Sequence, residues 1–117
     1  VYARRGTTPQ RTVVYFHGGF WAAGAKENSV MALVPWLEMG WNVVNVEYRL
    51  ARVAPAPAAV EDALCALRFL AAQAQTYRID VQRIVDLAPD LVLLYIQRRG
   101  RAQKEPLDLD VLVAVRP

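Results

Sequence analysis

Three residue types that often carry chemistry are nearly missing from this sequence. Its 117 residues contain one cysteine, Cys65, one histidine, His17, and one serine, Ser29. A single cysteine excludes a disulfide within the chain and a cysteine-based metal cluster, and it fits a reducing compartment such as the cytoplasm. No spacing of histidine, cysteine and acidic residues matches a metal site, so neither a metal nor another cofactor is predicted.

Long apolar runs and a strong excess of one charge are also missing. No run approaches the ~20 residues that a membrane-spanning helix requires, and no signal-sequence pattern is present. The net charge is +3, and the basic residues Arg98, Arg99, Arg101 and Lys104 lie close together without interleaved aromatic residues. Such a cluster is more typical of a solvated helix end than of a nucleic-acid interface. The sequence therefore predicts neither a membrane span nor a nucleic-acid partner.

Apolar strand patterns alternate with helical patterns along most of the chain, whose composition is that of one folded domain. Strands are predicted over Thr12–Phe16, Asn42–Tyr48 and Asp80–Val85, where β-branched residues predominate. Helices are predicted from Asn28 or Ser29 to Met39 and from Pro57 to Ala74. The alternation predicts an α/β fold with a mostly parallel sheet and right-handed helical crossovers.

Proline and glycine positions in the first helix, and apolar positions in the second, lead to further predictions. Pro35 should kink or split the first helix, and Gly40 should end it. In the second helix, Cys65 is expected to be a small buried thiol among apolar neighbours. Four residues recur at helical spacing and are expected to form its buried face: Val60, Leu64, Leu67 and Ala71.

The pattern weakens after Val85. A helix over Asp90–Arg99 and a strand over Leu109–Val115 would continue the alternation, and Asp86 is expected to cap a helix. These features divide the chain into residues 1–85 and a divergent tail, residues 86–117.

The run at residues 17–21, His-Gly-Gly-Phe-Trp, directly follows the first predicted strand. Two adjacent glycines lack Cβ atoms, so the backbone can turn with its N–H groups facing a cavity. Such donors can stabilise the oxyanion that develops when a nucleophile attacks an ester carbonyl. The alternative is that these glycines only form a tight turn.

Further motifs follow this run in order along the chain. They are Gly24 and Lys26, then Tyr48-Arg49-Leu50, Pro57–Asp62 (PAAVED) and Ile79–Val85 (IDVQRIV). Together they resemble the HGGG-type esterases and lipases, a branch of the alpha/beta-hydrolases with hormone-sensitive-lipase-like and feruloyl-esterase-like members. The resemblance covers Tyr2 to Val85 and therefore only the N-terminal part of that fold.

The resemblance implies roles for the glycine-containing run. Gly18 and Gly19, together with Phe20, would be the oxyanion donors. His17 would fix the loop rather than act as a catalytic base, and Trp21 would either line a substrate pocket or simply pack. The substrate of a complete parent enzyme would be a small acyl ester, and no cofactor is implied. Arg49 and Asp62 are expected to form a buried pair that ties a loop to the second helix.

The sequence departs from this family where the nucleophile should lie. A G-x-S-x-G turn should follow the third strand, but the chain continues Asp86–Leu91 (DLAPDL), and no glycine lies between Gly40 and Gly100. Ser29 is expected to cap a helix, and the single histidine belongs to the glycine loop. Because a serine hydrolase needs a nucleophile, a base and a residue that orients the base, this chain is predicted to be inactive.

Three interpretations remain open from the sequence. The first is an incomplete esterase-family chain, whose exposed sheet edges would favour self-association. The second is a non-catalytic binding or interaction module on the same scaffold. The third is an enzyme of another class that uses acidic residues or Cys65.

Overall fold

Parallel strands form one sheet in the order β2-β1-β3-β4. The strands are β1 (Gln10–Phe16), β2 (Asn42–Val46), β3 (Ile79–Leu87) and the two-residue β4 (Leu112–Val113). The computed structural model describes residues 1–87 and residues 112 and 113. All three strand pairs are parallel. The expected α/β architecture with a parallel sheet is therefore confirmed.

Strand β1 lies between β2 and β3, and its sequence suits that central position. Val13 and Val14 are fully buried and Phe16 is nearly so. A continuous apolar run is typical of a parallel strand that is covered on both faces, because neither face can be polar. The strand ends with this apolar run at Phe16, and the chain leaves the sheet at His17.

Helices cover both faces of the sheet. Helix α1 (Val30–Glu38) follows a 3-10 turn at Lys26–Ser29 and packs Leu33 against Val13 and Val43. Helix α2 (Ala56–Ala72) is followed by the short α3 (Ala74–Tyr77), and α2 packs against the opposite face of the sheet. The residues of α2 that belong to this core are Ala59, Val60 and Leu70.

The predicted helix boundaries are close to those observed. Helix α1 runs through Pro35 without being split, so of the two predicted effects of this proline the split does not occur, and the kink stays a prediction. Proline removes only one hydrogen bond from a helix of nine residues that packs firmly on the sheet. Gly40 adopts a φ of 81° just after this helix, as a terminating glycine should. Ser29 precedes α1 at the cap position, but its side chain makes no capping hydrogen bond.

Two predictions about α2 are wrong. Val60 is buried, and Leu64 and Leu67 pack against the core, but Ala71 is exposed and Leu70 takes the buried place. One turn of a helix contains 3.6 residues, so three turns after Val60 the residue that faces the core can be residue 70 or residue 71. Cys65 is exposed rather than buried, because it lies next to this stripe and not within it.

The N-terminal segment completes the sheet at the border of β2. Tyr2 forms an antiparallel bridge with Val43 through two backbone hydrogen bonds, at 2.7 and 3.0 Å. The fully buried Asn42 accepts a hydrogen bond from the Arg4 N–H at 2.9 Å. Its side-chain amide donates to the carbonyls of Tyr77 and Arg78. This one amide joins the chain start to the turn before β3.

The tail differs from its prediction at one described position. Asp86 lies within β3 and is not a helix cap, because the strand continues to Leu87. The structure places β4 inside the predicted strand Leu109–Val115. The predicted helix Asp90–Arg99 lies outside the described residues.

Candidate active site

The His17–Trp21 loop begins at the carboxyl end of β1 and makes a tight left-handed turn. Gly19, Phe20 and Trp21 have φ values of 131°, 52° and 62°. The N–H groups of Ala22 and Ala23 both donate to the Gly19 carbonyl, at 3.1 Å in each case. Positive φ is costly for residues with a Cβ, and strained backbone of this kind is concentrated at functional sites.

One position in this loop and one just after it leave no room for a Cβ atom. A Cβ atom on Gly19 would collide with the carbonyl group of Ala23. A Cβ atom on Gly24, whose φ is 97°, would lie 2.6 Å from the Gly18 oxygen and 2.8 Å from Nδ1 of His17. Gly24 was singled out from the sequence only by its place in a motif, and the structure gives the physical reason for it.

His17 is enclosed by its surroundings and only 2% exposed. Its Nδ1 lies 3.0 Å from the Gly18 oxygen. The Tyr48 ring stacks on the imidazole at a centroid distance of 4.4 Å, and its hydroxyl donates to the His17 carbonyl at 2.6 Å. These contacts place His17 and Tyr48 together as supports of the loop.

Glu47 is a member of this site that the sequence interpretation missed. Its Oε2 accepts a hydrogen bond from the Lys26 backbone N–H at 2.8 Å, and its Oε1 lies 3.5 Å from Nε2 of His17. Nε2 is buried and makes no hydrogen bond, so the second contact is an ion pair that forms when the ring is protonated. The signal in the sequence was an acidic residue directly before Tyr48-Arg49-Leu50, where β2 leaves the sheet beside β1.

A second ion pair at the end of the loop lies in solvent. The Lys26 ammonium is 2.9 Å from Oε1 of Glu27. This hydrogen bond raises the pKa of Lys26 and lowers the pKa of Glu27. Because both side chains are exposed, the pair contributes little to stability.

The two aromatic residues of the loop have different environments. Phe20 is 87% exposed. Trp21 packs against the α2 side of the core, and its carbonyl accepts a hydrogen bond from the Ala51 N–H at 2.6 Å. Its indole Nε1 is buried without a hydrogen-bond partner. Trp21 therefore packs against the core, and its other predicted role, lining a substrate pocket, stays a prediction.

The expected pair between Arg49 and Asp62 forms, but it is not buried. The guanidinium Nε lies 3.0 and 2.9 Å from the two carboxylate oxygens, and the Arg49 backbone N–H also donates to Asp62, at 2.8 Å. The side chains are 47% and 25% exposed, so the prediction of burial is wrong. Hydrogen bonding to Arg49 lowers the pKa of the Asp62 carboxyl. The pair ties the segment after β2 to α2 from the surface.

The described residues do not assemble a nucleophile with a base. His17 makes no hydrogen bond to Ser29 or to Cys65 in this part of the chain. Within the same residues, no three histidine, cysteine or acidic side chains meet as metal ligands would. No helix in the described ranges is both long and apolar enough to cross a bilayer.

Asp86 was expected from the sequence to cap a helix, and the structure instead makes it a strand residue with a buried carboxyl oxygen. It pairs with Val14 in the register of β1 and β3, and its Oδ1 is buried without a hydrogen bond. Burial raises the pKa of this carboxyl to about 7. An acidic residue within the apolar run RIVDL was the available signal for a buried carboxyl.

Comparison with known families decides the relationship of this chain. The family model of BD-FAE matches residues 1–87. The chain belongs to the BD-FAE family. This BD-FAE chain is 33% identical to Lipase 2 of Moraxella sp. (strain TA144) over 84 residues, 71% of the chain and 19% of the lipase. It is 37% identical to carboxylesterase NlhH of Mycobacterium tuberculosis (strain ATCC 25618 / H37Rv) over 73 residues, 62% of the chain and 23% of that enzyme.

Solved structures agree with this family relationship. Bacterial Heroin Esterase superposes with a TM-score of 0.68 at 32% identity, covering 80% of the BD-FAE chain and 32% of the esterase. The hyperthermophilic esterase from Pyrobaculum calidifontis gives 0.66 at 28% identity, covering 84% and 35%. The chain thus spans between a fifth and about a third of the length of these relatives. The resemblance to the N-terminal part of HGGG-type esterases and lipases, and the partial alpha/beta-hydrolase fold, are confirmed.

Proposed function

We propose that this chain provides the oxyanion-binding part of a carboxylic-ester hydrolase. The backbone N–H groups of Gly18, Gly19 and Phe20 are the proposed donors to the developing negative charge on a small acyl ester. The observation that carries the proposal is the left-handed turn at the end of β1, in which a Cβ at Gly19 would strike the Ala23 carbonyl. His17 supports this loop, and Trp21 anchors it to the core.

We also propose that the 117 residues do not hydrolyse esters by themselves. The support is the residue count, because the sequence offers one serine, one histidine and no G-x-S-x-G turn after β3. Residues 1–85 form the hydrolase-like part in this proposal, and residues 86–117 form a divergent tail. The extent of the family match, residues 1–87, supports that division.

An assay of the purified chain tests the absence of catalysis. We expect no turnover of p-nitrophenyl acetate above background and no labelling by a fluorophosphonate, because no serine is activated by a base. Ser29→Ala and Cys65→Ala serve as matched controls and should give the same result as the unaltered chain. Turnover that disappears in either variant would show that this chain has a nucleophile.

A fusion tests the oxyanion role directly. Residues 1–87 replace the matching segment of bacterial heroin esterase, so that the esterase supplies the remaining catalytic groups. We expect the fusion to hydrolyse p-nitrophenyl acetate. Gly19→Ala keeps its backbone N–H, but the collision of its Cβ with the Ala23 carbonyl displaces this donor, so kcat should fall by roughly 10²–10³-fold, as it does when an oxyanion donor is lost. Gly6→Ala is the matched control, because Gly6 also has positive φ but has no atom within 4 Å of the added Cβ. Equal activities of the two variants would reject the oxyanion role.

A non-catalytic interaction module is the second candidate, and the edge of the sheet favours it. Among the described residues, strand β2 is the outermost strand on its side, and the N-terminal segment bridges it only at Val43. Backbone groups at an edge pair readily with a second chain. Sedimentation over a concentration series should reveal a dimer under this proposal, and a monomer throughout would contradict it.

A further inference from the structure

The loop from His17 to Lys26 is held at both ends by residues from the end of β2. At its start, the Tyr48 hydroxyl donates to the His17 carbonyl at 2.6 Å. At its end, the side-chain amide of Asn45 donates to the Lys26 carbonyl at 2.8 Å. Each of these side chains contacts one end of the loop.

Glu47 contacts both ends at once. One carboxylate oxygen accepts the Lys26 N–H at 2.8 Å, and the other lies 3.5 Å from Nε2 of His17. The histidine nitrogen is buried and has no hydrogen bond, whereas the carboxylate that faces it is partly exposed. One side chain therefore spans the opening of the loop that contains Gly18 and Gly19.

The negative charge of the Glu47 carboxylate strengthens these contacts. A hydrogen bond from a backbone N–H to a carboxylate is stronger than one to a neutral acceptor. The carboxylate also attracts the histidine ring when the ring is protonated. Closing a flexible loop restricts its backbone, so a single contact across its two ends limits the positions of all the residues between them.

We propose that Glu47 is a positioning residue of the oxyanion loop, which it clamps by joining His17 to the Lys26 backbone. The inference rests on the proposed function, since it assigns Glu47 to the loop that carries the oxyanion donors. Glu47 does not touch a substrate in this proposal. Its effect is to fix where the N–H groups of Gly18 and Gly19 lie before any charge develops.

The complete chain allows a test without turnover. His17 is the only histidine, so the imidazole region of a ¹⁵N spectrum reports this one ring. In Glu47→Ala, we expect the Nε2 resonance to shift and the amides of Ala22 and Ala23, which donate to the Gly19 carbonyl, to exchange roughly tenfold faster, as local opening becomes easier. The amides of Val13 and Val14 in β1 should keep their exchange rates.

Two further variants separate the clamp from general destabilisation. Glu27→Ala removes a carboxylate that pairs with Lys26 but lies beyond ion-pair distance of His17, so it should leave amide exchange unchanged and shift Nε2 less than Glu47→Ala does. Glu47→Gln keeps an acceptor for Lys26 and loses the charge, so it should shift Nε2 with a smaller rise in exchange. If Glu47→Ala does not fold, Glu47→Gln alone provides the test.

The outcomes that overturn the clamp are distinct from those that overturn the oxyanion role. Unchanged exchange of the Ala22 and Ala23 amides in both Glu47 variants, or an equal rise throughout β1, rejects Glu47 as a positioning residue. If exchange responds as expected while Gly19→Ala leaves the fusion fully active, the clamp stands and the oxyanion role fails.

Discussion

Strands β1 and β3 are parallel neighbours, so their carboxyl ends lie at the same edge of the sheet. The two ends differ in how well their polar groups and close contacts are accommodated. At the end of β1, two glycines adopt conformations and close contacts that other residues cannot reproduce, and buried side chains support the turn. At the end of β3, Asp86 places a buried carboxyl without a hydrogen bond at Oδ1 opposite Val14. The comparison shows that the turn after β1 is built from backbone conformations that favour glycine, whereas the end of β3 contains a carboxyl oxygen that is buried without a hydrogen bond.

The largest expected effect concerns the end of β3. The pKa of Asp86 is about 7 in the folded chain, against 3.8 for the ordinary carboxyl. The unfolded chain releases this proton first, so stability falls as pH rises from about 4 to about 7, by up to about 1.4 kcal/mol per pH unit. Asp86→Val should remove that fall and raise the free energy of unfolding at pH 8 by about 4 kcal/mol.

Urea denaturation of both proteins between pH 4 and pH 8 measures this effect. The difference between the two is the relevant quantity, because Glu27 and Asp62 have lowered pKa values and their contributions are instead lost on acidification. A constant difference across the pH range would show that Asp86 is not buried as a protonated acid.

The second effect concerns the end of β1. Gly24→Ala combines a φ of 97° with a Cβ 2.6 Å from the Gly18 oxygen, so we expect a loss of about 2–3 kcal/mol in unfolding free energy. Chemical denaturation measures it, with Gly6→Ala as the uncrowded control. Similar losses in the two variants would mean that the turn is not confined as the structure indicates.

The smallest effect tests one support of the same turn. Tyr48→Phe removes the hydroxyl that donates to the buried His17 carbonyl at 2.6 Å and keeps the stacked ring. We expect a loss of about 1–2 kcal/mol, because the carbonyl loses its donor without gaining water. Thermal and urea denaturation should agree on this value, and an unaltered stability would assign the support of His17 to stacking alone.

Much of the fold could be predicted from the sequence, because local patterns and global architecture agree. The strands of β-branched residues, the first turn of α2 at Pro57 and the stop at Gly40 each depend on neighbouring residues along the chain. The family could be predicted because its motifs are short and occur in order. The glycine loop also required no long-range information.

The remaining features depend on how layers of the structure meet. Whether Ala71 or Leu70 faces the sheet depends on the rotation of α2, and that rotation also exposes Cys65. The contact of Glu47 with His17 joins residues that lie 30 positions apart and meet only because β1 and β2 pair in parallel. The exposure of the Arg49–Asp62 pair likewise depends on which other residues pack over it. The spacing of the two residues along the sequence does not indicate this.

The bridge between Tyr2 and Val43 reverses the direction of the sheet at its border. From β2 inwards every described pairing is parallel, whereas the rung outside β2 is antiparallel. A peptide that approached this side would find the N–H and C=O of Val43 already occupied. It would have to displace the N-terminal segment, or attach further along β2, to extend the sheet.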